Sequence, residues 1–96
     1  MGEKMHKAIE DVRRHIDRLD TVLITTLAER MSLIPEIAEY KKKNRIPIFD
    51  EKREQQIMKK LLRIAEENGL DKGFVEEVFL SVFNESKRLQ EKIINK

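Results

Sequence analysis

Residues 9–41 read IEDVRRHIDRLDTVLITTLAERMSLIPEIAEYK. At about 100° per residue, Ile9, Val12, Ile16, Leu19, Leu23, Leu27, Ile34 and Ile37 fall within about 40° of one line. That is the stripe of an amphipathic helix, and it sets the fold class as all-α. Pro35 interrupts it. A proline inside a helix removes one backbone hydrogen bond and costs about 3 kcal/mol, so the helix either breaks there or kinks. A kink is expected, because neither Ser32-Leu33-Ile34 nor Glu36-Ile37-Ala38 contains Gly or Asn and the stripe runs on through both.

Two further breaks follow. In Asn44-Arg45-Ile46-Pro47-Ile48-Phe49, Pro47 stops helix and biases Ile46 to extended geometry. In Asn68-Gly69-Leu70-Asp71, Gly69 suits a helix C-cap and Asp71 an N-cap, with Leu70 and Val75 spaced as a hydrophobic staple. Three helices result, over 5–43, 50–67 and 72–94. A first helix of about 39 residues would be roughly 58 Å long, about twice the length of the others. One chain cannot cover that stripe, so a second copy packed antiparallel, helix 1 on helix 1, is expected.

The bulk composition narrows the function. The length of 96 residues suits a single domain spanning 1–96. The 20 Lys and Arg against 18 Asp and Glu leave a net charge of +2, too balanced to indicate nucleic acid or an anionic membrane. Lys and Arg are not gathered on one face, and aromatics are only 5% of residues, which also argues against a nucleic-acid reader. Cysteine is absent, so disulfides and thiolate metal sites are excluded. No His/carboxylate cluster has metal spacing, and His6 and His15 lie off the stripe, where solvent is expected. No apolar run has spanning length, and there is no signal-peptide core. Met1-Gly2 is followed by His6 where a myristoylation signal would have Ser or Thr. A cytoplasmic protein is expected.

The informative residues are the polar ones on apolar faces. Arg30 and Lys41 fall on the line of helix 1, with Arg13 on its flank beside Asp20. On helix 2 the line Ile57, Leu61, Ile64 extends back to Arg53 and Asp50, with Glu54 on the flank. On helix 3 Ser86 and Gln90 sit, one turn apart, within the line Val75, Phe79, Phe83, Ile93. Unpaired buried charge is expensive. Such residues either snorkel at wet helix ends, pair as structural salt bridges, or surround a ligand. Arg30, Ser86 and Gln90 are not at helix ends, and Lys41, Asp50 and Arg53 flank one loop, so a ligand is the favoured reading. Cations outnumber anions, so the ligand is negative. Arg forks match carboxylates, and no nucleophile–base pair is present. Arg13 and Arg30 are separated by roughly 25 Å along one helix. They cannot grip one small ligand from the same chain, but a partner's Arg13 could reach the site of Arg30 and Lys41.

Taken in order, Val12-Arg13-Arg14-His15-Ile16-Asp17-Arg18-Leu19-Asp20, Leu27-Ala28-Glu29-Arg30, Tyr40-Lys41, Pro47-Ile48-Phe49-Asp50-Glu51-Lys52-Arg53-Glu54 and Ser86-Lys87-Arg88-Leu89-Gln90 resemble the all-helical chorismate mutase family. The resemblance covers nearly the whole chain. It implies an intertwined homodimer and a [3,3] rearrangement of chorismate to prephenate, toward phenylalanine and tyrosine, with no cofactor. It also implies roles. Arg13 of the partner and Arg30 bind the two carboxylates, assisted by Ser86. Lys41 contacts a carboxylate and the ether oxygen, and Gln90 donates to that oxygen. Glu54 and the backbone at Asp50 hold the ring hydroxyl, and Arg53 lines the pocket. Pro35 departs from the family pattern and bears on local geometry. Two rivals are an isochorismate-pyruvate lyase of the same fold and a non-catalytic helical dimerisation module whose charges form interchain salt bridges.

Overall fold

A computed structural model describes residues 2–95, with the side chains of residues 2–6 outside that description, so the expectation for His6 lies outside the described residues. The described chain is helical, as α1 (Gly2–Ser32), α2 (Ile34–Asn44), α3 (Glu51–Glu67) and α4 (Lys72–Ile94). Helix thus fills all three expected spans, with the first interrupted at the single residue Leu33. Pro35 explains the interruption. It has no N–H to offer the carbonyl four residues back, so the chain closes α1 with a tighter bond, Leu33 N–H to the Arg30 carbonyl at 3.3 Å. Pro35 then takes the second position of α2, where a missing N–H costs nothing.

The chain divides into two compact units between Leu33 and Ile34. The first is the helix α1. It holds a β-branched stretch, Thr21-Val22 and Ile24-Thr25-Thr26, that is not intrinsically strong helix former. The threonine hydroxyls are satisfied within the helix, donating to the carbonyls of Asp17 (3.1 Å), Thr21 (3.0 Å) and Val22 (2.7 Å). Its apolar stripe, Ile9, Val12, Ile16, Leu19, Leu23 and Leu27, is exposed along its length. His15 is exposed as expected, beside Arg18.

The second unit places α4 against both α2 and α3. Its core is Ile34 and Ala38 from α2, Ala65 from α3, and Val75, Val82 and Phe83 from α4. Ala38 is 0% exposed, so the α2–α4 approach has no room for a larger side chain at that position. The rings of Phe79 and Phe83 meet in a tilted contact along α4, with centroids 6.2 Å apart and planes at 55°.

Caps set the ends. Asp50 and Asp71 accept from the backbone N–H groups of Arg53 (3.0 Å) and Phe74 (2.9 Å), starting α3 and α4. α3 closes with Gly69 at φ 69°, with Gly69 N–H to Glu66 (3.2 Å) and Leu70 N–H to Ala65 (2.8 Å). Val75 is buried while Leu70 remains exposed, so only one end of the expected staple is covered. α2 closes in the same way on a residue ill-suited to it. Arg45 stands at φ 53°, with Arg45 N–H to Lys42 (3.4 Å) and Ile46 N–H to Lys41 (2.8 Å). A non-glycine residue there carries a steric cost of about 1–2 kcal/mol, partly offset by its smaller loss of backbone freedom on folding. Arg45→Gly should therefore stabilise the protein by about 1 kcal/mol in urea unfolding, and an unchanged or lower midpoint would show that Arg45 makes a compensating contact.

Candidate functional site

α4 carries the residues that depart most from ordinary packing. Ser86 and Gln90 are 7% and 5% exposed, the buried polar residues among an otherwise apolar core. The Ser86 hydroxyl donates to the Val82 carbonyl at 3.0 Å, one turn back along its own helix. Gln90 Oε1 has no hydrogen-bond partner among the described residues. A buried amide left short of a partner costs about 1–3 kcal/mol, and turning it over would present its NH2 at the same point.

Lys41 extends the packed face of α2 that begins with Ile34 and Ala38, at helical spacing of four and three residues. Its ammonium donates to the Ile48 carbonyl at 2.7 Å, which ties the loop after α2 back to the helix it leaves. Partial burial pushes the Lys41 pKa down, and the carboxylates of Asp50 and Glu54 work against that by favouring the charged form. An ammonium has three donors, so the Ile48 bond does not exhaust it.

Across the loop, the Asp50 carboxylate is committed to capping α3, and its carbonyl accepts from Glu54 N–H at 3.0 Å. Arg53 supplies its backbone N–H to that cap while its side chain is exposed. Glu54, half-buried one position on, forms an ion pair with Lys87 of α4 at 2.9 Å. Lys87 also lies over the Phe49 ring, 4.6 Å from its centroid.

Six of the expected site residues therefore lie in the second unit. Lys41, Asp50 and Glu54 are brought within electrostatic reach of one another, and Ser86 and Gln90 are buried on the helix that carries Glu54's partner. Arg13 and Arg30 belong to the first unit, Arg13 exposed and Arg30 half-buried. A cleft of about 260 Å³ opens beside this cluster, lined by Phe49, Glu54, Met58, Leu80 and Phe83 among others. Glu54 is the one expected site residue that reaches it, so the cleft is a neighbour of the cluster rather than its container.

Sequence reasoning missed Lys87, Phe49 and the Ile48 carbonyl as participants. Lys87 had a signal. It lies four residues after Phe83 and three before Gln90, on the flank of the α4 core line. Among the described residues no group of His, Asp and Glu is placed to hold a metal ion, and no helix is long and apolar enough to cross a membrane.

Comparison with known proteins bears on this arrangement. The chorismate mutase of Methanocaldococcus jannaschii is 29% identical over 90 residues, covering 94% of this chain and 91% of that protein. A bifunctional chorismate mutase/prephenate dehydratase of Buchnera aphidicola subsp. Schizaphis graminum is 34% identical over 84 residues, which are 88% of this chain but 22% of that longer protein. A 4-amino-4-deoxychorismate mutase of Streptomyces venezuelae is 25% identical over 88 residues, 92% of this chain and 85% of its own. Residues 12–91 match the family described as chorismate mutase type II, a span that includes every polar residue singled out above, and the chain belongs to that family.

Proposed function

We propose that this chain converts chorismate to prephenate, and that Lys41 and Gln90 are the groups that act on the breaking bond. The observation that carries the reading is the burial of Ser86 and Gln90 in the α4 core face, with an amide oxygen left unpartnered, in the same packed unit as the half-buried Lys41. A purely structural helix would gain by carrying apolar residues there.

The reaction is an intramolecular [3,3] rearrangement, so it needs no nucleophile, and the residues supply none. The substrate has to be held as a compact chair, which two Arg–carboxylate clamps achieve by orientation. Arg30 serves one carboxylate, with Ser86 assisting, and a partner's Arg13 serves the other. As the C–O bond breaks, negative charge gathers on the ether oxygen. Lys41 and Gln90 donate to it, and held in place before the reaction they favour the transition state over the ground state. Glu54 and the backbone of Asp50 receive the ring hydroxyl. The Asp50 side chain is spent on the α3 cap, which leaves the backbone as that residue's contribution. Arg53 lines the mouth.

The homodimer belongs to the same proposal. The exposed stripe of α1 supports it, because a row of Ile, Val and Leu at helical spacing is stable only when covered. The lyase reading remains distinguishable by product, since isochorismate would yield salicylate. A second mutase reading follows from the Streptomyces relative. The substrate in its name carries an amine at the ring carbon that bears the hydroxyl in chorismate, and the two compounds differ at the group Glu54 would hold.

Lys41→Ala and Gln90→Ala should each lower kcat by roughly 100- to 1,000-fold with the helical circular dichroism preserved. Near-normal turnover in either would sink the assignment. Mixing Arg13→Ala with Lys41→Ala subunits should rebuild one intact site per heterodimer, and an absence of recovered activity after subunit exchange would count against a shared site. Gln90 is neutral, so activity should hold through neutral pH, and the pH–kcat profile should fall on the alkaline side as Lys41 loses its proton, below the ordinary lysine range. Glu54→Gln removes one of the two carboxylates that favour the charged form, so the Lys41 titration, followed by carbon NMR of its ε-methylene, should move to still lower pH. An upward shift would contradict the coupling.

A further inference from the structure

Lys87 makes no contact with the reacting groups in the proposed mechanism, yet its ion pair with Glu54 adjoins the site directly. Lys87 follows Ser86 on α4 and precedes Gln90 by three residues. Its ammonium is 2.9 Å from Glu54 Oε2, and the two side chains are 24% and 22% exposed, so the pair is largely withdrawn from water. The ammonium is also 4.6 Å from the Phe49 ring centroid, so it is held from a second side. Charges so placed are weakly screened, and their effect on a neighbouring group is correspondingly large.

We propose that Lys87 is a specificity-determining residue that acts through Glu54, selecting a substrate with a neutral ring hydroxyl over one with a ring ammonium. This rests on the reading that Glu54 receives the ring substituent. A lone carboxylate would draw in a cationic substituent more strongly than a hydroxyl. Lys87 cancels that attraction, because its own positive charge already sits on the carboxylate. The pair still accepts a hydrogen bond, since a carboxylate has about four lone-pair sites and the ion pair engages Oε2. A hydroxyl can therefore donate to Glu54 beside Lys87, while an ammonium arriving there meets a like charge. The discrimination is a repulsive element added to an attractive one. Itself held over the Phe49 ring, Lys87 pairs with Oε2 and so also fixes the direction in which Glu54 accepts.

The experiment measures kcat/KM for chorismate and for 4-amino-4-deoxychorismate in the wild-type protein, Lys87→Met, Lys87→Gln and Lys87→Arg. The wild type should prefer chorismate. Lys87→Met should shift the ratio toward the amino compound by about tenfold or more. Lys87→Gln, which can still hydrogen-bond Glu54 but carries no charge, should shift it the same way and serves where the Met variant does not fold. Lys87→Arg should keep the wild-type preference. A ratio unchanged within about twofold in the Met and Gln variants, with both substrates slowed in parallel, would reduce Lys87 to a structural role and overturn the proposal. A wild-type preference for the amino compound would overturn it as well. A wild-type protein that consumes neither compound would instead refute the reading of the site itself, and this proposal with it.

Discussion

The structure turns on α4 having to pack against two helices while carrying an amide and a hydroxyl on the face that packs. Apolar residues at 86 and 90 would extend the row of Val75, Phe79 and Phe83 and raise stability. Ser86 answers the problem locally, by donating to Val82 one turn back. Gln90 does not, and its unpartnered oxygen is a cost of about 1–3 kcal/mol that the fold absorbs elsewhere. Proteins of this size have only a few such kcal/mol to spare, so a site is the natural account of where the stability went.

The rest of the unit holds chemistry in place around that face. The loop between α2 and α3 has no regular structure to position it, yet three interactions restrain it. Lys41 takes the Ile48 carbonyl, Lys87 lies over Phe49, and Asp50 starts α3 by binding the Arg53 N–H. All three restraints come from charged groups that the site would also use or that neighbour it. Loop geometry and site electrostatics thus share contacts, which makes the positions of Asp50 and Glu54 depend on α2 and on α4, the latter remote from them in sequence.

Much of this was legible in the residues. The apolar spacing gave the spans of α3 and α4 to within a residue or so, and Asp71 and Gly69 acted as the caps their chemistry suggests. Ser86 and Gln90 lie on the α4 line, and both are buried. Other features were not legible, for reasons that are physical. At Pro35 two outcomes compete within about 3 kcal/mol, and periodicity alone does not weigh a one-residue interruption at Leu33 against a kink. Arg45 in the left-handed region contradicts residue preference, so no local signal announces it, and the surrounding cap imposes it. The Lys87–Glu54 pair joins residues on different helices, and a position on the flank of a stripe says nothing of what stands opposite. The burial of Ala38 and Val82 likewise follows from helix–helix approach rather than from their own hydrophobicity.

The buried polar groups of α4 and the family to which the chain belongs support the proposal that a small dianion is held and rearranged without covalent help. Incubating the wild-type protein with chorismate and following its absorbance, with the product identified by NMR, tests that statement most directly. First-order loss of chorismate is expected, with prephenate as the sole product and no added metal or cofactor. Unchanged chorismate at enzyme concentrations comparable with substrate, or any product other than prephenate, would contradict it.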